Sequence, residues 1–385
     1  MKKNLFIFTG SRADYGILKN LVIDLKKEKN IIAKLVVGGS HFSKKYGYSI
    51  QEIIKDRIKV SHKISLKIQN TRDIDIVNFI SKSINKYGKV LKKYSPDYVL
   101  LLGDRFETFS FAIACYFLNI KIIHIHGGEV TSGSFDDNIR HCITKMSNYH
   151  FVSHQSHLKR LIQLGENRKQ IFNIGSLGVQ NFIESKKDSK KNFLNKFKLP
   201  ENYKLALVTF HPETQSKTDY KIQIHTFLSS LKKYKNIYYI FTYNNNDTFG
   251  AYFIKQIQKY KYANRNSRIY KSMGSSMYFN FLNNVDIVIG NSSSGIIEAP
   301  SANTITLNVG TRQEGRIFSK SVFGCPLSQK GIHSSLDKIL KIKKKNFQNV
   351  YYKKNTRQNL IKILKNDIFK KKLQIKKFND LKFKY

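Results

Sequence analysis

Tyr98-Val99-Leu100-Leu101-Leu102-Gly103-Asp104-Arg105 is followed, one helix-length stretch later, by Ile120-Lys121-Ile122-Ile123-His124-Ile125-His126-Gly127-Gly128-Glu129. Each is a short aliphatic run ending in Gly beside an acid, an Arg or a His. Such runs, too short for helices and separated by a helical stretch, read as buried strands of a parallel sheet. The same reading extends outward. Leu5–Phe8 leads into Thr9-Gly10-Ser11, Leu35–Val37 into Gly38-Gly39-Ser40, His150–Val152 follows, and Ile171–Ile174 ends at Gly175-Ser176. A Lys/Asn/Ser-rich break at 184–202 closes on Leu199-Pro200-Glu201, and the pattern then resumes. Leu205–Phe210 precedes His211-Pro212-Glu213, and Ile237–Thr242 precedes Tyr243-Asn244-Asn245-Asn246-Asp247. Asp286–Ile289 precedes Gly290-Asn291-Ser292-Ser293-Ser294-Gly295, and Thr304–Val309 precedes Gly310-Thr311-Arg312. The expected class is α/β: one domain over 1–183, a linker over 184–202 and a second domain over 203–350. Right-handed crossovers place the strand-end loops on one edge of each sheet, so an interdomain cleft is the expected ligand site. Residues 351–385 read as a Lys-rich helix that packs one stripe (Ile361, Leu364, Ile368, Phe369) on the body.

Length and composition agree. The 385 residues suffice for two domains, and 41% hydrophobic content excludes a disordered chain. The formal charge of +42 invites a nucleic-acid reading, but 17 of the 68 Lys and Arg lie in Lys338–Tyr385 and the rest are scattered. Richness in Lys, Asn and Ile fits an A/T-rich coding bias. RNP-like, zinc-finger and helix-turn-helix signatures are missing, so no nucleic-acid partner is expected. The three cysteines are widely spaced and imply neither a disulfide framework nor a metal site. The apolar run after Met1-Lys2-Lys3 is short and leads straight into Gly10-Ser11-Arg12, unlike a cleaved leader. No run approaches the roughly 18 apolar residues that span a bilayer. No membrane insertion is expected, and a reduced, cytoplasmic location is.

The chemistry-bearing residues cluster in the loops. Gly290–Gly295 is a small-residue loop before Ile296-Ile297-Glu298; its N–H groups and the hydroxyls of Ser292, Ser293 and Ser294 suit a diphosphate, and Glu298 suits ribose hydroxyls. An ordinary capped helix uses the same geometry. Arg12, Arg105 and Arg312 stand in strand-end loops of a chain whose positive charge is mostly Lys, and with Arg140 and Arg316 they point to an anionic substrate. Asp104, His126, Glu129, Asp136, Asp137 and His211 form an acid–base set suited to proton transfer. A metal site from His124, His126, His141 and Asp136 competes with it, but their spacing matches no metal-ligand signature. His124, His150 and His154 read as buried histidines with satisfied hydrogen bonds.

Taken together, Thr9-Gly10-Ser11-Arg12-Ala13-Asp14-Tyr15-Gly16, Gly103-Asp104-Arg105, His124–Glu129, Asp136-Asp137-Asn138-Ile139-Arg140-His141, His211-Pro212-Glu213-Thr214 and Gly290–Gly295 resemble, in this order, the hydrolysing UDP-N-acetylglucosamine 2-epimerases of bacterial sialic acid synthesis. The resemblance runs from about residue 4 to about residue 320. It implies a GT-B-like fold of two Rossmann-like domains, with the C-terminal helix returning to the first. It also implies a homodimer or higher oligomer and a reaction without cofactor or metal. In that reaction UDP leaves UDP-GlcNAc by anti elimination across C1–C2, and water adds to the 2-acetamidoglucal to give N-acetylmannosamine.

By the same resemblance Asp104 and Asp136 match the acid–base carboxylates, and His211 matches a histidine near the diphosphate. Arg12, Ser292, Ser293 and Arg312 match phosphate contacts, and Glu298 matches the ribose carboxylate. One departure stands out: many relatives carry Glu at the position of His126, so either His126 or Glu129 takes that role here. Two other readings stay open: a hydrolysing 2-epimerase of a UDP- or GDP-linked 2,4-diacetamido sugar for legionaminic acid, and a GT-B glycosyltransferase.

Overall fold

Strands β1 (Lys3–Thr9), β2 (Ile31–Val37), β3 (Val60–Lys63), β4 (Tyr98–Leu102), β5 (Lys121–Ile125), β6 (Tyr149–Val152) and β7 (Ile171–Asn173) pair in the order β3-β2-β1-β4-β5-β6-β7. Every pairing is parallel; Ile7 faces Leu100 across β1 and β4, and Leu102 faces Ile125 across β4 and β5. A second sheet, from β8 (Lys204–Thr209), β9 (Ile237–Thr242), β10 (Ser267–Tyr270), β11 (Ile287–Gly290), β12 (Ile305–Val309) and β13 (Val322–Cys325), is also all parallel and runs β10-β9-β8-β11-β12-β13. The computed structural model describes residues 2–44, 47–66, 73–244, 248–342, 346–370 and 375–381.

Both sheets are buried on two faces, which is why their strands read as continuous apolar runs. In β1, Leu5 and Ile7 join one core while Phe6 and Phe8 join the other. In β8, Ala206 and Val208 pack on one side and Leu205 and Leu207 on the opposite side. Each sheet reverses strand order beside its first strand, between β1 and β4 and between β8 and β11. That reversal opens a crevice at the carboxyl ends, where open α/β sheets bind ligands. The strands that the apolar-run pattern misses are β3, β10 and β13. All three are edge strands with polar or small residues (Val60-Ser61-His62-Lys63, for example).

The chain divides into two compact units, Met1–Glu129 with Asp136–Gln180 and Tyr351–Tyr385, and Val130–Phe135 with Asn181–Val350. The stretch expected as a linker is structured instead. Ser189 caps helix Lys190–Phe197 by accepting from the Asn192 N–H, and Phe193 and Leu194 enter the core formed with Leu205 and Phe281. The short segment Val130–Phe135 belongs to the second unit, where Ser132 donates its N–H to the Glu314 carbonyl at 3.2 Å.

The expected helix over 351–385 is shorter. It covers Thr356–Ile363 and widens into a π turn at Leu364–Ile368, with Leu360, Ile361, Leu364 and Ile368 in the core of the first unit. Residues 371–374 and 382–385 of that expected helix, and the Asn245-Asn246-Asp247 loop, lie outside the described residues. Residues 375–381 are not helical. Lys376 explains why: its ammonium reaches the carbonyls of Thr144 (3.1 Å) and Ser147 (2.6 Å) and Glu166 Oε2 (2.7 Å). Asn379 donates to the Gly165 carbonyl at 2.9 Å, and Phe378 packs on Gly165.

Glu166 is the centre of this anchor. Burial alone would raise its carboxyl, but the hydrogen bond from His150 and the ammonium groups of Lys376 and Lys145 outweigh it and hold the carboxyl below its ordinary value of 4.5. A carboxyl lowered by folding contributes stability that is present above the unfolded value and lost as pH falls through the folded one. E166Q is therefore expected to lose about 2 kcal/mol at pH 7. Urea unfolding should show that deficit shrinking as the pH is lowered below about 4.5.

Candidate active site

The end of β4 is held by a buried histidine. His124 is fully buried, its Nε2 lies 2.7 Å from the Gly103 carbonyl, and its Nδ1 lies 3.2 Å from Thr144 Oγ1. Burial pushes it down to about 3, so the ring is neutral, donates to Gly103 and accepts from Thr144. His154 is likewise structural, capping helix Gln155–Gln163 through the Ser156 N–H. His150 bonds Glu166 at 3.0 Å.

Beyond Gly103, Asp104 accepts from Arg140, which helix Asp136–Met146 delivers from the other side of β5. The guanidinium is 1% exposed, and it also donates to the Glu129 carbonyl (2.8 Å) and to Asp137 Oδ1 (3.2 Å). One buried cation thus gathers Asp104, Asp137 and the backbone of Glu129. Asp136 begins the same helix, where the helix dipole favours a carboxylate.

His126 follows β5 with φ +70, a left-handed conformation costing a residue with a β-carbon roughly 1–2 kcal/mol. Its N–H donates to the Phe151 carbonyl at 2.9 Å, and its Nδ1 lies 3.1 Å from Glu129 Oε1. The turn depends on Gly128, at φ +76 and pressed on helix Gln155–Gln163. A β-carbon there would come within 2.6 Å of the His157 carbonyl oxygen and 2.3 Å of Leu161. Arg160 donates to the Gly128 carbonyl and holds the loop down.

Arg12 opens helix Arg12–Lys27 after β1, and Arg105 stands at the start of helix Phe106–Phe117 after β4 without capping it through its side chain. Arg105 Nε donates to Glu107 Oε2 at 3.3 Å, and both side chains are buried. Beside them burial pushes Asp14 up to about 7 although Arg105 opposes the rise. Glu107 lies in none of the motifs quoted above, and Asp14 lies in the Thr9–Gly16 motif without having been assigned a role.

In the second unit Asn291, after β11, clamps His211, after β8. Asn291 Oδ1 accepts the His211 N–H at 2.7 Å, and Asn291 Nδ2 donates to the His211 carbonyl at 2.9 Å. Glu213 underlies the β12 loop, accepting from the N–H groups of Thr311 (2.7 Å) and Arg312 (3.3 Å). Gly310 makes room for it, since a β-carbon at this φ +82 position would stand 1.9 Å from Glu213 Oε1. Arg312 donates to the Asn291 carbonyl at 3.3 Å, which ties the two loops together.

The helix expected after Gly290–Gly295 is a single turn, Ser294–Ile297, closed by Glu298, which is 6% exposed. Gly295 packs on β12, where Thr306 donates to its carbonyl at 2.7 Å. Ser293 occupies the cap position without using its hydroxyl as a cap, and the buried Ser294 hydroxyl has no hydrogen-bond partner among the described residues. Helix capping therefore does not account for these serines.

The structure brings together Asp104, His126, Glu129 and Arg140 in the first unit, with Asp136 adjacent. In the second it joins His211 and Arg312 through Asn291, with Ser292, Ser293, Ser294, Gly295 and Glu298 in the loop that follows. Arg140 was expected to hold substrate; both its terminal nitrogens are engaged by protein partners. Among the described residues, no three of His, Cys, Asp and Glu are placed to hold a metal ion. No helix among them is long and apolar enough to cross a membrane.

Two parallel sheets with alternating helices, carrying their polar residues at the strand ends, define a GT-B-like α/β protein. The family model for UDP-N-acetylglucosamine 2-epimerase matches residues 23–365. A polysialic acid biosynthesis protein, P7, of Escherichia coli is 38% identical over 99% of this chain and 98% of its own length. A hydrolysing GDP/UDP-N,N'-diacetylbacillosamine 2-epimerase of Campylobacter jejuni is 34% identical over 83% of this chain and 84% of its own. The crystal structure of a UDP-GlcNAc 2-epimerase from Neisseria meningitidis, bound to UDP-GlcNAc, superposes with a TM-score of 0.79 at 20% identity, covering 95% of this chain and 100% of that one. The chain belongs to the UDP-N-acetylglucosamine 2-epimerase family.

Two alanine substitutions, one in the turn at Gly128 and one in a helix outside it, test the packing of that turn. At Gly88, inside helix Asp73–Tyr94, an added β-carbon meets nothing within 4 Å. G88A should therefore stabilise the protein by about 0.5–1 kcal/mol in urea unfolding. G128A should destabilise it by about 2 kcal/mol or more, because the turn must shift.

Proposed function

We propose that this chain is a hydrolysing 2-epimerase that converts UDP-GlcNAc and water into N-acetylmannosamine and UDP for sialic acid synthesis. The observation that carries the reading is the Arg140-centred group, in which Asp104, Asp137 and the Glu129 backbone share one buried guanidinium beside His126. A weakly acidic C–H next to a departing diphosphate needs a fixed proton acceptor and a cationic or N–H-lined phosphate site. The first unit supplies the former through Asp104, Asp136, His126 and Glu129. The second supplies the latter through Ser292, Ser293 and Arg312, with His211 near the leaving oxygen and Glu298 for the ribose. Arg12 adds a further cation for the diphosphate. Arg140 serves by orienting Asp104 rather than by touching substrate.

In the first half-reaction the C2–H and C1–O bonds break on opposite faces, and 2-acetamidoglucal and UDP form. In the second, water adds across the double bond and C2 receives its proton from the other face. The polysialic acid role in the name of the E. coli relative supports N-acetylmannosamine as the product. The Campylobacter relative favours a second reading, in which the sugar is a 2,4-diacetamido-6-deoxy sugar on UDP or GDP.

A substrate panel read by NMR separates the readings. UDP-GlcNAc should yield free N-acetylmannosamine and UDP in equal amounts, and D104N should slow the reaction roughly 100-fold or more. Accumulation of UDP-linked N-acetylmannosamine alone would rule out hydrolysis. Inertness with UDP-GlcNAc, together with turnover of the diacetamido sugar nucleotide, would select the second reading.

A further inference from the structure

The hydrogen bonds behind His126 continue further than the reactive turn. Glu129 Oε1, 3.1 Å from His126 Nδ1, also accepts the Ser153 hydroxyl at 2.8 Å, and Ser153 Oγ lies 3.1 Å from His157 Nδ1. All four residues are more than nine-tenths buried, and the ring of Tyr351 lies over His157 with centroids 6.1 Å apart. Counting hydrogens fixes the protons along this row. A carboxylate only accepts, so His126 donates through Nδ1, and Ser153 gives Glu129 its single hydroxyl hydrogen. Ser153 can then only accept from His157, whose proton sits on Nδ1. The other ring nitrogen, His126 Nε2, is buried and has no hydrogen-bond partner among the described residues. Of the neighbouring carboxylates, Asp104 and Asp137 accept from Arg140, and Asp136 stands in the first turn of the helix that carries it.

We infer that His126 Nε2 takes the C2 proton of the nucleotide sugar, with Glu129 holding the imidazole in its Nδ1–H form and Ser153 and His157 acting as positioning residues behind Glu129. The inference rests on the reading of the chain as a hydrolysing 2-epimerase. The C2–H bond breaks and its proton bonds to Nε2. The released electron pair forms the C1=C2 double bond, and the C1–O bond breaks with its own pair leaving on the diphosphate. The imidazolium so formed faces the Glu129 carboxylate, the relation that stabilises a histidine base in hydrolytic triads. The strained φ of His126 fits this role, since backbone strain persists where surrounding contacts fix a functional side chain.

The test uses the full chain. Nitrogen-15 spectra of histidine-labelled protein, with His126 assigned through H126Q, report the tautomer without substrate. Wild type should carry the proton on Nδ1, and E129Q should shift it toward Nε2, because the Gln amide can donate to Nδ1. In turnover, E129Q should lower kcat roughly 100-fold with KM changed by less than about threefold. S153A should fall between wild type and E129Q, and E129D should recover part of the loss. The double variant H126A/E129Q should be no slower than H126A, because Glu129 works through His126; a merely structural Glu129 would make the two losses add. A wild-type proton on Nε2, additive losses, or an E129Q kcat within about threefold of wild type would overturn the inference. Failure of wild type to turn over any nucleotide sugar would instead remove the proposed function, and with it the proton transfer, while the spectra still decide the Glu129–His126 pair.

Discussion

The first unit is organised around one buried positive charge. A guanidinium withdrawn from water is tolerated only if its donors are matched, and removing one partner of such a group is far more costly than never having built it. The terminal nitrogens of Arg140 find oxygens from three separate pieces of chain: Asp104 after β4, the Glu129 carbonyl after β5, and Asp137 on its own helix. Its need for partners therefore fixes where Asp104, Asp137 and the Glu129 backbone stand. His124 fastens Gly103 from below, and Gly128 lets the β5 loop lie flat on helix Gln155–Gln163.

The second unit solves a similar problem with neutral and acidic side chains. Asn291 copies the pairing of a strand neighbour by bonding both backbone groups of His211, so β8 and β11 stay joined past the end of the sheet. Glu213 collects the N–H groups of the β12 loop and thereby sets the backbone of Arg312. Neither residue needs to contact a ligand to matter. Both hold the loops that the proposed diphosphate site uses.

Much of this was legible from the sequence, for a physical reason. Strands buried on both faces leave unbroken apolar runs, so Tyr98–Leu102 and Leu205–Phe210 announce themselves, and residues at their ends fall where parallel sheets bind ligands. The edge strands Val60–Lys63 and Ser267–Tyr270 leave no such trace because only part of each is covered. Helix Lys190–Phe197 was hidden by its Lys and Asn content, although Phe193 and Leu194 carry its packing. Asp104, His126 and Arg140 were visible as residue types in conspicuous loops. That Arg140 binds protein, and that Ser153 and His157 stand behind Glu129, depends on contacts across separate elements, which spacing does not encode. The high positive charge proved uninformative about the site, but one of its lysines, Lys376, pins the end of the chain to Glu166.

At the centre of the account is the claim that the acid–base group breaks a carbon–hydrogen bond at C2, as opposed to letting water displace the diphosphate directly at C1. UDP-GlcNAc carrying deuterium at C2 and turned over in ordinary water tests this most directly. The account predicts slower turnover than with the protium substrate and a free amino sugar that has lost its deuterium. Unchanged turnover, with the deuterium retained at C2 of the product, would contradict it.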